Sequence, residues 1–567
     1  MPVVSQRELD PPAPMRSSVP LLLPVLLGLA LHLPALGGWW LTDDPQVLVH
    51  AIRHSPREIL FDPEAYRYLS SSSFTPLVTL SFDLDHAIAG VRPWFFYLHQ
   101  VIVALVAAVL LFRLLVRWLT PRLAMLTAIA FIASPMTTFA VRSLMLRHYV
   151  EGLVLALAAL LVWGKGERSA RSAPWDITAA GLYLVAMLAK EFYAPLPLLM
   201  IAFALTSGQN LVRTARRLLF PAAAAIVYLL WRWWMLGSGG GYGGDWPEAG
   251  SLAHLASRVG RAVIGAGVDP DATALATRLG LLAALVAAAA TAILLLRAFA
   301  RTALHAFGFA VPSVVFLILP LLFLTEDFDR RYAFVASALL VTSAGLAASV
   351  WPAGHLRELL LALVAMALAA GGIIEHAAFR IRTLQMVAEG QYVWRKHDSA
   401  PVLLAWSPGW YLEGLAELRS RDAGTEAPRF LLSTVPLALR EIPSRAVWTS
   451  NPKSAAVTPL PEDLVASIQE ESRRFEPDAP LAFRFRRRRN DLSWEVAPAG
   501  DRFTFLTYPR YDDFPLPGSG WRRLPRPDGP QRFRVRRDSL DGRWTISPPL
   551  ELPSDGEELR WERTRDR

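Results

Sequence analysis

VPLLLPVLLGLALHLPALGGWWLTDDP, residues 19–45, presents an apolar run, a tryptophan pair and an aspartate pair in that order. About 20 consecutive apolar residues suffice to cross a bilayer, and Trp at the end of such a run marks the headgroup interface. The stretch reads as a first membrane helix with Asp43 and Asp44 just past its end, because a carboxylate at the bilayer centre costs about 2.5–3.5 kcal/mol. The run lacks a small-x-small cleavage site, so it reads as a retained helix and not a removed leader. A local role is open to the doublet as well: Thr42, Asp43 or Asp44 could cap a helix starting at Pro45.

The rest of the chain fits a polytopic α-helical membrane protein. Of 567 residues, 53% are hydrophobic, and the long apolar windows nearly all precede residue 375. Candidate spans are 19–38, 94–118, 123–141, 146–163, 176–190, 192–207, 218–236, 278–296, 304–324, 332–350 and 358–374, about eleven helices in all. With residues 1–18 cytoplasmic, every inside loop carries a basic residue, among them Arg113, Arg117, Arg122, Lys165, Arg213, Arg216, Arg217 and Arg357, as the positive-inside rule requires. The net charge of +9 is then topological, and no nucleic-acid partner is expected. The absence of cysteine excludes disulfides, thiolate nucleophiles and thiolate metal sites.

Three parts follow: a cytoplasmic segment 1–18, a membrane domain 19–375 with a large first outer loop 39–93, and an extracytoplasmic domain 376–567. The last opens with a helical segment, 376–397. VLLAW (402–406) and RFLLST (429–434) flank the helical WYLEGLAELRSR as a small α/β unit. LAFRFRRRRNDLSWEVAP and RFRVRRDSLDGRWTISPP read as hairpins turning at Asn490-Asp491 and Asp541-Gly542. The arginines of 486–489 read as a solvated hairpin edge.

On this topology one face of the membrane collects the remaining charges. Arg142 and Arg147 end the third span and open the fourth, Lys190 and Glu191 interrupt two spans, and Asp327, Asp329, Arg330 and Arg331 precede the tenth. Cations converging beside Asp43 and Asp44 are what a lipid-phosphate donor needs, because fixed positive charge stabilises a departing phosphate in a low-dielectric site. Taken singly, Lys190–Glu191 and Asp329–Arg330 could equally be local ion pairs.

The succession LTDDP, TPLVTLSFDLDHAIAGVRPWFFYLHQ, SPMTTFAVRSLMLRHYVEG, LAKEFYAPLPLLM, YLLWRWWMLG and EDFDRRYAFVAS resembles the polytopic O-mannosyltransferases with tetratricopeptide tails and their bacterial relatives. These belong to the GT-C class of polyprenyl-phosphate-sugar-dependent glycosyltransferases. The resemblance covers roughly residues 20–375 and none of the tail. It implies a membrane glycosyltransferase moving a mannose-like sugar from a polyprenyl-phosphate donor to a protein, lipid or glycan acceptor, by one inverting displacement at the outer face of a plasma (bacterial inner) membrane. It implies Asp43 or Asp44 as general base and Arg142, Arg147, Lys190, Arg330 and Arg331 as donor-phosphate contacts, with Glu191 and Tyr332 in support. This chain departs from the pattern at three places: Ser134-Pro135 for His-Pro, Phe139-Ala140-Val141 for Glu-Ala-Val, and Thr75 for an Arg-bearing motif. Adjacent aspartates also allow a divalent cation, though no third acidic ligand is identifiable. Two other classes compete: a transporter or flippase of a lipid-linked substrate, disfavoured because the charges gather at one face and not at the midplane, and a catalytically inactive scaffold presenting the tail.

Overall fold

The computed structural model describes residues 19–70, 73–169, 171–206, 210–237, 274–300, 315, 330–349, 351, 354–395, 402–404, 409–424, 430–432, 447–450, 457–459, 462–488, 491–508, 513–523, 532–554 and 556–563. Its helices are α1 (Val19–His32), α2 (Asp44–Arg53), α3 (Pro56–Phe61), α4 (Pro63–Leu69), α5 (Pro76–Ala89), α6 (Pro93–Leu115), α7 (Pro121–Ile132), α8 (Pro135–Arg142), α9 (Arg147–Glu167), α10 (Ala173–Ala189), α11 (Leu196–Thr206), α12 (Leu211–Leu236), α13 (Ala274–Ala300), α14 (Ala333–Ser349) and α15 (His355–Arg395). The tail adds α16 (Gly409–Ala423) and α17 (Glu462–Arg473).

Proline sets most of the starts near the first outer loop. Ser55, Asp62, Thr120 and Ser134 each accept a backbone N–H from the first turn that follows, with Pro at the first helical position; its fixed φ and missing N–H suit that place. Ser134-Pro135 ends α7 and starts α8 at a 50° bend. The serine at this departure from the family pattern is therefore a helix cap.

By length and composition, five described helices can cross a membrane, or six if the bent α7–α8 pair is one span. Ala173–Ala189, Glu191–Ala204, Leu282–Leu296 and Ala333–Ser349 are apolar but shorter. Each expected span coincides with one of these helices except 304–324, of which only residue 315 is described. At the expected boundary 375/376, α15 runs unbroken from His355 to Arg395. Gly372 sits at that point because a Cβ there would strike the Ala133 carbonyl oxygen.

In the tail, β1 (Val402–Leu404), β2 (Phe430–Leu432), β3 (Val447–Ser450) and β4 (Val457–Pro459) form a sheet ordered β2-β1-β3-β4, with β1 parallel to both neighbours. The β-rich end holds β5 (Leu481–Arg488), β6 (Asp491–Ala497), β7 (Arg502–Tyr508), β8 (Asp513–Leu516), β9 (Ser519–Arg523), β10 (Arg532–Asp538), β11 (Trp544–Ile546), β12 (Leu550–Glu551) and β13 (Glu558–Arg563). Two sheets, β13-β5-β6-β9 and β11-β10-β7-β8, share a core of Phe483, Phe485, Phe503, Phe505 and Phe533. Both expected hairpins are present, β5–β6 and β10–β11, the second turning through Gly542 at φ +80°. At the Arg-rich edge, Arg484 and Arg486 meet Glu558 across the ladder at 2.7 Å each.

Candidate active site

Helix α9 is 21 residues long, about 30 Å at 1.5 Å per residue and so about one hydrocarbon thickness. Its two ends carry separate charge clusters. At the Glu167 end, buried Arg217 donates to Asp176 at 2.7 Å and to Trp163 O at 2.6 Å. At the Arg147 end the elements of loop 39–93 assemble around residues 145–149.

The aspartate doublet lies in a tight turn. Thr42, a β-branched residue, has φ +39°, a left-handed conformation that side chains of this kind resist. Asp44 N–H bonds Leu41 O at 2.9 Å, and Leu41 N–H donates back to Asp44 Oδ2 at 2.8 Å. Asp44 is 1% exposed, and its Oδ1 has no hydrogen-bond partner among the described residues. Burial above all pushes its carboxyl well above the ordinary aspartate range, with the neighbouring Asp43 adding to the shift and the Leu41 N–H and Arg147 opposing it. Asp43 is exposed and is the N-cap residue of α2 without a side-chain cap bond. The two carboxylates thus differ: one ties the turn, the other faces outward.

Arg147 has a different place from the one its motif implies. It is fully buried, donating to Asp85 Oδ2 at 2.5 Å, Ser81 Oγ at 3.2 Å and Phe96 O at 2.6 Å, with Phe82 and Phe96 rings against its guanidinium. Asp85 also bonds His99 Nδ1 at 2.7 Å, and Ser81 donates to Glu151 at 2.5 Å. With both terminal nitrogens so occupied and the side chain fully buried, this guanidinium is not open to a ligand phosphate. Arg142 turns toward the 3-10 turn that follows α1 and toward α15, donating to Pro34 O at 3.2 Å with Phe379 under its guanidinium. Neither arginine stands in the cation group built around Lys190.

That group comes from three segments. Lys190 is 9% exposed; its Nζ lies 5.5 Å over the Tyr149 ring, and among the described residues no carboxylate pairs with it. Glu191, its expected partner, instead accepts from Arg232 Nε at 2.9 Å and from Phe74 N–H at 2.8 Å. Arg331 lies over the Tyr332 ring at 5.3 Å, and Tyr332 stacks on Phe192 at 5.9 Å. The buried His148 ring feels the charges of both Lys190 and Arg331, and its Nδ1 has no partner among the described residues. The side chain of Arg330 and residues Asp327 and Asp329 lie outside the described residues. No group of three or more His, Asp or Glu able to hold a metal occurs among the described residues.

Between the helices is a small apolar cavity of about 30 Å³ lined by Leu111, Leu153, Leu160, Tyr193, Leu196 and Val335 among others. Of its lining, Tyr193 and Val335 lie three residues after Lys190 and Tyr332. Sequence reasoning missed His148, Arg232 and the Asp85–His99–Glu151 cluster. His148-Tyr149 directly after Arg147, and Asp85 three residues after Phe82, were the available signals.

No family model matches this chain, and no curated protein matches it. Among solved structures, ArnT from Cupriavidus metallidurans in the apo state is similar over 79% of this chain and 94% of its own, at 13% identity and a TM-score of 0.44. The same protein bound to undecaprenyl phosphate is similar over 74% of this chain and 94% of its own, at 14% identity and a TM-score of 0.45. The oligosaccharyltransferase of Archaeoglobus fulgidus in its apo form is similar over 73% of this chain and 64% of its own, at 12% identity and a TM-score of 0.43. The likeness is too distant to assign chemistry, which is read from this chain's own side chains.

Proposed function

We propose that this chain is a membrane glycosyltransferase that moves a sugar, mannose-like by its sequence resemblance, from a polyprenyl-phosphate donor to an acceptor hydroxyl at the outer face of the membrane. One observation carries the reading. Buried Asp44, next to the exposed Asp43 in loop 39–93, and two cations, buried Lys190 and half-buried Arg331, approach the same 145–149 segment.

The chemistry is a single displacement. The acceptor oxygen bonds to the anomeric carbon, the bond from that carbon to the phosphate oxygen breaks, and polyprenyl phosphate leaves with the electron pair. Asp43 takes the hydroxyl proton, a role typically worth about 10²–10⁴-fold. Lys190 and Arg331 stabilise the charge developing on the leaving phosphate, since they are placed before it forms and need no reorganisation. His148 offers a further polar contact through Nδ1. The isoprenoid lies against the apolar helices, which accounts for the embedding of the enzyme in a membrane. Asp44 holds the turn that presents Asp43. The N-terminus on this reading is cytoplasmic and the tail extracytoplasmic.

The test uses full-length protein in bilayer nanodiscs with radiolabelled polyprenyl-phosphate-mannose and cell-envelope extract as acceptor source. Label should pass to an envelope component, and Asp43→Asn should reduce the rate by at least about a hundredfold while binding of the lipid persists. Undiminished transfer by Asp43→Asn and Asp44→Asn would overturn the proposal. Mass analysis of envelope glycans with and without the gene would then name the acceptor.

A further inference from the structure

The strained turn that bears the doublet is gripped by residues far along the chain. Thr42 N–H points at Met386 Sδ, 3.3 Å away, near the end of α15. Tyr411 of α16 is completely buried, and its Oη donates to Trp40 O at 2.9 Å, with Met386 O a second acceptor at 3.3 Å. A Cβ at Gly390 would overlap Tyr411 Oη, and one at Gly414 would lie 2.9 Å from Pro45 Cβ and 3.2 Å from Gln46 N. Gly390 thus lets α16 approach α15 closely, and Gly414 lets it approach α2. Farther along α2, Arg53 makes a two-point pair with Glu417 at 3.0 and 2.8 Å, and Arg421 braces the same carboxylate at 3.0 Å.

A β-branched residue at positive φ persists only where its surroundings over-determine it. Here those surroundings include the end of α15 and the first helix of the tail, flanking Thr42–Asp44 through Trp40 and Pro45. We infer that Tyr411 is a positioning residue: with Met386 and Glu417 it clamps the Thr42–Asp44 turn, so that the C-terminal region completes the catalytic loop and does not merely hang from the membrane domain. The catalytic meaning of the clamp rests on Asp43 being the proton acceptor; the clamp itself does not. Charged and titratable groups near the buried Asp44 are Asp43 on its own element, Arg147 of α9, Tyr97 of α6 and Tyr411 of α16.

Two readouts on full-length protein in nanodiscs separate clamp from chemistry. The first is amide hydrogen exchange at residues 41–44. Tyr411→Phe removes the shared donor and leaves two buried carbonyls short of a partner, so exchange there should speed up by about tenfold. Glu417→Gln, on the partly exposed flank, should act in the same direction by a smaller factor. The second is turnover counted per polyprenyl-phosphate binding site. Tyr411→Phe should lower kcat by about tenfold while leaving donor KM and polyprenyl-phosphate affinity unchanged, a split that simple loss of folded protein does not produce once sites are counted. Unchanged exchange at 41–44 in both variants would overturn the clamp. Faster exchange with full activity in Asp43→Asn would keep the clamp and sink its catalytic meaning.

Discussion

Replacing Asp85 by Ala tests whether Arg147 is a structural ion or a ligand for phosphate. Both side chains are buried, at 0% and 2% exposure, with Nη1 and Oδ2 2.5 Å apart. Removing one partner of such a pair typically costs about 3–5 kcal/mol, because the remaining charge is left uncompensated out of water. Arg147 would keep Phe96 O at 2.6 Å and Ser81 Oγ at 3.2 Å, and the Glu151 carboxylate is near enough to act on its charge. The expected loss is therefore at the low end, about 3 kcal/mol. Asp85→Asn keeps an acceptor oxygen and should lose about half as much. The double variant Asp85→Leu/Arg147→Met should recover most of the loss, since apolar replacement of a whole buried pair is often neutral. Denaturant unfolding of full-length protein in mixed micelles measures all three. Wild-type stability in Asp85→Ala, together with a loss of polyprenyl-phosphate affinity, would refute the reasoning and return Arg147 to the donor site.

Asp44→Asn should raise thermal stability increasingly as pH climbs. Burial raises the folded-state pKa of Asp44, so its contribution is most favourable below the unfolded value of about 3.9 and declines as pH rises through the folded one, whereas asparagine does not titrate; melting curves at several pH values check this. Lys190→Ala should weaken polyprenyl-phosphate binding by about ten- to a hundredfold, the range for losing a charge-assisted hydrogen bond, with Lys190→Arg retaining part of it, as read by lipid titration. Glu191→Gln should leave lipid binding intact and reduce stability, because Arg232, 8% exposed, depends on that carboxylate; a thermal shift assay beside the titration separates the two effects. In the tail, hydrogen bonds from Arg484, Arg560 and Arg486 hold Glu558 down at about 2. Its contribution should be present above the ordinary glutamate range and vanish as pH falls through about 2, a dependence absent from Glu558→Gln in an acid titration followed by tryptophan fluorescence.

Much of the helical plan could be read in advance, since apolar windows and loop arginines report on the solvent each residue meets. Pro45 marked a helix start for the same local reason, whereas the break at Pro135, inside the expected span 123–141, was not foreseen. The tail hairpins were visible as alternation around Asp-Gly or Asn-Asp. Asp43, Asp44, Lys190 and Arg331 were recognisable as candidates because charge at the edge of an apolar run is costly without a purpose. Arg147 looked like one of the same set until its partner was known. That partner, Asp85, is 62 positions away, and nothing local in SLMLRHYVEG discloses it. Glu191 misled in the opposite direction: its neighbour in sequence is Lys190, but its partner in space is Arg232.

What the chain determines by itself is therefore one-dimensional: which stretches prefer lipid, where helices begin, and which ionisable groups lie at the ends of apolar runs. Pairing is another matter. Whether a cation is spent on a carboxylate, and which of two adjacent aspartates is buried, depend on contacts between segments far apart in the chain. Only packing brings Met386 and Tyr411 to the turn at Thr42, because each hydrogen bond there joins groups whose separation along the backbone carries no signal of their distance in the fold.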